Sequence, residues 1–247
     1  MISAPGFSMS FGARPPRTTR WVLFLCAVLV GSVGCASSHG LSRDSLQDVI
    51  LREEAGFLGP PSAAAAPAPR HAPTLGFYFK PTAFVHREFE WTSRDRDAVL
   101  IWAQGLSLGV GGRSTGFLTP SSLKGQSLRE LRATAARYGV DWVLVFDGAA
   151  SVDRYNNFKA PLLYWTIVGA YLAGGTHSDA LCLMKATVWD VKTGARLFDE
   201  HADAITRTVG PAALVDDGRE IERAKTRAMD TLLQRLTDRF ALLVGRP

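Results

Sequence analysis

Short apolar runs predict a set of β-strands after residue 73. The continuous run at 142–146 is typical of a strand that is buried on both faces. Two further strands are predicted in ALCLMKATVWDV and ARLFDEHADAIT, and Lys192-Thr193-Gly194 between them is typical of a tight hairpin turn. The stretches TLGFYFK and RSTGFLTP complete the predicted strands.

A second pattern, with apolar residues three and four positions apart, predicts helices at 93–106, 127–139 and 219–243. Ser127 and Glu130 match a capping box, and Gly139 suits the left-handed position that follows a helix. The expected buried stripes of the three helices are Ala98, Ile101, Trp102 and Gly105; Leu128, Leu131, Ala135 and Tyr138; and Ile221, Ala224, Ala228, Leu232, Leu236, Phe240 and Leu243.

The elements follow one another as β-α-β-α-β, then an apolar insert, a hairpin and a helix. This order predicts a single α/β domain, in which helices flank a mixed sheet. Upstream of it, Leu46 and Ile50 have helical spacing, and the stretch 59–73 is dominated by alanine and proline, as in a semi-extended linker. We therefore divide the chain into a signal peptide at 1–34, a lipid-anchored flexible tether at 35–73 and the α/β domain at 74–247.

The apolar run at 21–33 has the features of a secretory signal. It holds 13 residues without a charge, whereas a membrane-spanning helix needs about 20. Arg14, Arg17 and Arg20 form a basic flank before it, and small residues follow it. A retained membrane span is the alternative, and the short length of the run argues against it.

Ser32-Val33-Gly34-Cys35, at the end of this run, resembles the lipobox of bacterial lipoproteins. In that family a peptidase cuts before the cysteine, which then carries a diacylglycerol and a further acyl chain such as palmitate. Gly34 and Cys35 match the pattern, whereas Ser32 stands where leucine is usual. The resemblance implies lipidation of Cys35, and the absence of aspartate after it implies the outer membrane. Ordinary cleavage after Ala36 is the alternative, because Gly34-x-Ala36 is a small-x-small site, and it gives a soluble periplasmic protein.

The net charge of +5 does not indicate nucleic-acid binding, because the three signal arginines supply much of the excess and no basic run follows. Cys26 lies inside the signal, so at most Cys35 and Cys182 remain and a disulfide framework is not expected. We interpret Cys182 as a small buried hydrophobe, with a reactive or metal-binding thiol as the alternative. No cofactor is expected.

Two His-x-Asp pairs, His177 with Asp179 and His201 with Asp203, place two metal-ligand types on one face of a strand. Zinc needs three or four ligands, so a solvated strand edge or turn is the preferred interpretation. The sequence contains no His-Glu-x-x-His, Cys-x-x-Cys or Gly-x-Ser-x-Gly pattern.

Asp141, Asp147 and Asp153 flank a predicted strand, where paired carboxylates can perform acid–base chemistry. We interpret them instead as residues that end the strand or cap a neighbour. The glycine-rich GLSLGVGGRSTG lacks the spacing and the lysine of a phosphate-binding loop, so it predicts a loop or a strand bend.

The stretch 160–177 contains an apolar segment of about 13 residues, too short to cross a bilayer and apolar on all sides. One interpretation is a helix packed on the sheet, and the other is a surface that meets a partner, another subunit or the membrane. The residues that would form this surface are Leu162, Leu163, Trp165, Ile167, Tyr171 and Leu172.

LRELRATAARYGVDWVLVF followed by MKATVWDVKTGARLF is similar to the small α/β domain of envelope lipoproteins. Examples are the curli-secretion channel lipoprotein, the activators of peptidoglycan synthases and the amino-terminal domain of TolB. The likeness covers roughly 74–244, and its motifs are structural rather than catalytic. It implies a cell-envelope protein that faces the periplasm.

Three hypotheses of function remain open. The first is a non-enzymatic, lipid-anchored envelope protein whose α/β domain binds other envelope proteins. The second is an oligomeric subunit of a secretion or assembly complex, with the apolar helix at 161–173 as the interface. The third, a hydrolase of envelope polymers, is the weakest, because no pair of nucleophile and base can be named.

Overall fold

We describe the fold from a computed structural model. It describes Ser38 and residues 40–58, 73–81, 89–110, 113–118, 127–156, 175–211 and 214–244. The signal peptide, Cys35 and the apolar segment at 160–173 lie outside these residues, so the predictions for them stand as made. None of the described helices is long and apolar enough to cross a membrane.

The described residues form a five-stranded mixed sheet and four helices, which confirms the predicted α/β fold. In chain order the elements are α1 (Arg43–Leu58), β1 (Thr74–Phe79), α2 (Ser93–Val110), β2 (Arg113–Phe117), α3 (Leu128–Arg137), β3 (Trp142–Asn156), β4 (Thr176–Asp190), β5 (Arg196–Gly210) and α4 (Asp217–Val244). The strand order is β2-β1-β3-β4-β5. β1 pairs in parallel with β2 and β3, and β4 pairs antiparallel with β3 and β5.

Helices cover both faces of the sheet, which explains why its central strands are apolar on both sides. On one face, α2 and α4 pack on alternate residues of the strands, such as Phe77, Phe146 and Met184. On the other face, α1 and α3 pack on the residues between them, among them Tyr78, Val145 and Leu183. We call these the α2/α4 face and the α1/α3 face.

Helix α1 packs against the sheet, although it lies within the predicted tether. Leu46 and Ile50 are 4% and 3% exposed and pack on Leu181 and Leu183. Phe57 stacks on Tyr78 with ring centroids 5.7 Å apart. The helix therefore packs with the folded domain, whereas the sequence predicts a flexible tether over 35–73. The alanine- and proline-rich stretch joins α1 to β1, two elements of the same domain.

The predicted turn and cap signals have the expected geometry. The hydroxyl of Ser127 accepts a hydrogen bond from the Glu130 N–H at 3.4 Å, and Gly139 has a φ of 69°. Gly194 has a φ of 74°, as the tight turn between β4 and β5 requires. At the start of α1, the hydroxyl of Ser42 caps the helix by accepting a hydrogen bond from the Ser45 N–H at 3.2 Å.

The prediction of burial is wrong for some residues of the helical stripes. Ile101 and Tyr138 are 70% and 62% exposed, and Leu243 is 38% exposed. Among the described side chains of α2 the buried apolar residues are Val99, Ala103 and Leu106, one position away from the predicted stripe. The error arises because apolar residues occur on two adjacent sides of this helix, so spacing alone does not decide which side meets the sheet.

Candidate functional site

Strands β3 and β4 form a long antiparallel hairpin, whose paired residues run from Trp142 with Asp190 to Asn156 with Thr176. We call the end at Asn156 and Thr176 the hairpin end. Each strand has 15 residues, which corresponds to about 50 Å at 3.4 Å per residue. The apolar segment at 160–173 is connected to the fold at this end through Asn156 and Gly175, although its own structure lies outside the described residues.

Asp153 binds the N-terminal segment of the described chain at the hairpin end. This carboxylate accepts hydrogen bonds from the Ser38 hydroxyl and, at 3.0 Å, from the Gly40 N–H. Asp153 is 7% exposed and lies three residues before the end of β3. The chain therefore enters the domain at the hairpin end, before α1 begins at Arg43.

Next to this contact, Asp179 of β4 is paired across the sheet with Asp153 of β3 and Arg207 of β5. Arg207 donates to both carboxylate oxygens of Asp179 at 2.8–3.0 Å. The hydrogen bond to Asp179 is the main reason that the pKa of Arg207 is raised above its ordinary value. This bidentate pair balances one of two adjacent buried carboxylates, which would otherwise repel each other.

The second row of residues from the hairpin end contains two stacked rings. Tyr155 and His177 are paired across β3 and β4, with ring centroids 4.9 Å apart and planes 4° apart. Their neighbour in β5 is Val209, which is 51% exposed. An imidazole with a ring partner and a nearby valine has the surroundings of a packing residue rather than those of a metal ligand.

On the α2/α4 face, the start of α4 is fixed to the same end. Asp217 accepts from the Ser178 hydroxyl at 2.7 Å and from Arg154 at 3.2 Å. The turn before α4 leaves Leu214 67% exposed, and the side chain of Arg219 is 80% exposed. The hairpin end thus presents an apolar side chain and arginines to the surroundings.

Strand β5 forms one edge of the sheet, and no described strand pairs with its outer side. Ile205 and Val209 are 55% and 51% exposed and lie on the α1/α3 face of this strand, on either side of Arg207. The helices of that face do not cover them. A 15-residue edge with exposed β-branched residues is a surface on which another chain can pair or pack.

A buried cluster of charges lies under α1, nearer the middle of the sheet. Lys80 donates to Asp147 at 2.8 Å and to Glu53 of α1 at 3.2 Å. Burial raises the pKa of Asp147, and the ammonium group of Lys80 opposes that rise. Beside it, Lys185 contacts Glu54 at 2.6 Å. These pairs join α1 to the sheet, and both lysines have their charge balanced inside the fold.

Lys225 forms a second buried cluster, on the α2/α4 face. This lysine is 0% exposed and contacts Asp95 at 3.0 Å and Glu222 at 2.6 Å. It also donates to the Glu90 carbonyl at 2.9 Å.

Cys182 is buried as predicted, and desolvation raises the pKa of its thiol to about 12. At that pKa the thiolate is scarce near neutral pH, so the reactive-thiol alternative loses its chemical basis.

The structure separates the other residues that the sequence singled out. Asp141 accepts from the Thr74 N–H at 2.8 Å, as expected of a residue at a strand boundary. Asp147 and Asp153, in contrast, lie inside β3 and not at its ends. His201 is exposed, and Asp203 pairs with Arg43. Among the described residues no group of three or more His, Cys, Asp or Glu side chains is arranged to hold a metal ion.

Comparison with known proteins gives no family assignment. No family model matches the chain, and no curated protein matches it. The solved structures that it is similar to include a minor lipoprotein from Acinetobacter baumannii, with 11% identity, a TM-score of 0.36 and coverage of 70% of this chain and 94% of the other. Lipoprotein GNA1162 from Neisseria meningitidis has 12% identity and a TM-score of 0.28, with 69% and 98% covered.

A third similar structure is the PelC dodecamer from Paraburkholderia phytofirmans, with 14% identity, a TM-score of 0.34 and coverage of 74% of this chain and 96% of the other. The first two proteins are named lipoproteins, the class that the sequence resemblance indicates. All three TM-scores are below 0.5, so the likeness carries no argument about function.

Proposed function

We propose that this protein is a non-enzymatic, lipid-anchored component of the bacterial cell envelope whose α/β domain binds other envelope proteins. Cys35 is its lipidation site, and the domain faces the periplasm from the outer membrane. Two or more acyl chains on one cysteine give stable attachment, because each buried CH₂ contributes about 0.8 kcal/mol and one chain alone binds weakly.

The observation that carries the binding role is the outer edge of β5. Its 15 residues end the sheet, and Ile205 and Val209 are about half exposed on one side of it. No described strand pairs with the outer side of this edge, and a sheet edge is a template for a partner strand. The buried lysines support the non-enzymatic part of the proposal. Lys80, Lys185 and Lys225 are each paired with a carboxylate inside the fold, so their charges stabilise the structure.

Lipidation is tested by changing Cys35 to Ala. We expect the unmodified protein to sediment with membranes and the Cys35→Ala protein to appear in the soluble periplasmic fraction. The mass of the mature N-terminus identifies the acyl chains and the cleavage position. Retention of Cys35→Ala in the membrane fraction contradicts the lipid anchor.

Partner binding is tested by placing a photo-crosslinking amino acid at Ile205 in cells. A matched control carries it at Ile101, which is 70% exposed on α2, away from β5. We expect an adduct with a second envelope protein from position 205 and none from position 101. Absence of an adduct at 205, or equal yields at both positions, contradicts the role of the β5 edge.

An adduct of two copies of this chain supports the alternative function instead, an oligomeric subunit of an envelope secretion or assembly complex. The edge of β5 is compatible with this alternative as well, because a sheet edge can pair with a second copy of the same chain. Its predicted interface at 161–173, with Leu162, Trp165 and Tyr171 among its residues, remains a prediction outside the described residues.

A further inference from the structure

The contact of Asp153 with the N-terminal segment has a consequence for where the domain lies relative to the membrane. Ser38 and Gly40 are both bound by this carboxylate at the hairpin end. Only three residue steps separate Cys35 from Ser38. A fully extended chain spans at most about 3.6 Å per residue, so Cys35 lies within about 11 Å of Ser38.

This distance is comparable with the depth of the lipid headgroup layer. A bilayer is about 40–45 Å thick with its headgroups and about 30 Å without them, which leaves about 5–8 Å on each side. Acyl chains on Cys35 must reach the hydrocarbon, so the headgroup layer takes up most of the available length. Ser38 then lies within a few ångströms of the lipid surface.

We infer that the hairpin end of the domain rests directly on a phospholipid surface, held there by Asp153, and that the alanine- and proline-rich stretch is no spacer between membrane and domain. The inference rests on the lipidation of Cys35 proposed above. It reverses the arrangement that the sequence predicts, in which residues 35–73 hold the domain away from the membrane.

The side chains at the hairpin end fit a surface of lipid phosphates. In each ion pair there the arginine is more exposed than its carboxylate: 64% against 9% for Arg207 and Asp179, and 80% against 54% for Arg219 and Asp216. The more exposed partner of each pair is therefore a guanidinium group, which binds phosphates through paired hydrogen bonds, and the carboxylate of Asp216 is half exposed beside Arg219. Leu214, 67% exposed, adds an apolar side chain that can enter the headgroup layer.

A pair of insertions tests the inference in the full-length, lipidated protein. The same flexible spacer of 20 Gly and Ser residues is inserted either between Ala36 and Ser37 or between Ala64 and Ala65. The first position lies between the lipid and Asp153, and the second lies between α1 and β1. Only the first insertion should move the domain, by about 25 Å, the mean end-to-end distance of such a spacer.

The position of the domain is read by energy transfer from a dye on the protein to an acceptor in the headgroups of phosphatidylethanolamine–phosphatidylglycerol vesicles. One protein carries the dye at Leu214→Cys, and a control carries it at Lys192→Cys, on the turn at the opposite end of β4. The two sites are about 45–50 Å apart along the strand. Cys182 does not compete for the dye, because it is buried with a pKa of about 12.

Without an insertion we expect strong transfer from position 214 and weak transfer from position 192. The insertion before Ser37 should weaken transfer from position 214 several-fold, and the insertion after Ala64 should leave it unchanged. Equal transfer from the two sites, or a loss caused only by the insertion after Ala64, overturns the inference. A mature protein whose mass shows no acyl chains on Cys35 would instead refute the proposed function, and the inference with it.

Discussion

Two carboxylates of β3 show how the environment of a residue decides its role. Asp147 and Asp153 lie on the same face of one strand, and both are buried. Asp147 is balanced by the ammonium group of Lys80, whereas Asp153 accepts a hydroxyl and a backbone N–H from the N-terminal segment. Because a buried charge without partners is costly, both residues act first as attachment points for other parts of the chain.

Gly148, between these carboxylates, gives a prediction at the scale of one residue. A Cβ atom at this position would lie 2.4 Å from Cζ of Phe89, a buried ring of the core. We expect Gly148→Ala to lower the free energy of unfolding by about 1–3 kcal/mol, the usual cost of overpacking.

The matched control is Gly105→Ala, in α2, where a Cβ meets no atom within 4 Å. It should raise stability by up to about 1 kcal/mol, since alanine is the better helix former. Urea unfolding of both variants measures the two changes. A loss of stability in the control equal to that in Gly148→Ala would show that the contact with Phe89 is not the cause.

At the scale of elements, the sequence predicts correctly the strands, helices and turns that depend on neighbouring residues. The strand at 142–146, the helix capped by Ser127 and the turn at Gly194 all have the expected structure, because each depends on neighbouring residues. The remaining length of β3 could not be predicted. Its last ten residues, DGAASVDRYN, include few strand formers, and they are extended because β3 pairs with β4 along its whole length.

The candidate site was less predictable than the fold, because it depends on contacts between distant residues. The sequence offers no signal that Asp153 binds Ser38, more than a hundred positions away. The buried lysines did leave a signal: Lys185 interrupts an apolar strand, and Lys225 lies beside the apolar stripe of α4. A charge within an apolar stretch predicts a buried ion pair, although it does not name the partner.

The packing of α1 gives a prediction at this scale. Ile50→Ala removes a side chain that packs on Leu181 and Leu183, and we expect it to cost about 2–5 kcal/mol. Leu51→Ala, one position further and 46% exposed, should change stability by no more than about 0.5 kcal/mol. Denaturant unfolding of the two variants is the measurement. Equal and small effects would mean that α1 does not pack on the sheet in solution.

At the scale of the molecule, the proposed lipid site, the hairpin end and the open edge of β5 form one arrangement. The chain enters at Asp153, and α1 then crosses the α1/α3 face and reaches the charged cluster at Lys80. β5 lies on the outside of the hairpin, with its exposed residues Ile205 and Val209 close to the same end. A domain held in this way offers its β5 edge to a partner near the membrane surface, not at the end of a long tether.

The boundary of the folded unit follows from the same arrangement and can be tested with two soluble fragments, 38–247 and 74–247. The shorter fragment lacks Leu46, Ile50 and Phe57, each of which contributes about 1.5–3 kcal/mol when buried. It also lacks Glu53 and Glu54, the partners of buried lysines.

A loss of about 5 kcal/mol lowers the melting temperature of a chain of this size by about 10–20 °C. We expect thermal unfolding, followed by circular dichroism, to show a difference of that size. Equal melting temperatures would mean that the domain begins at residue 74 and that α1 belongs to the tether after all.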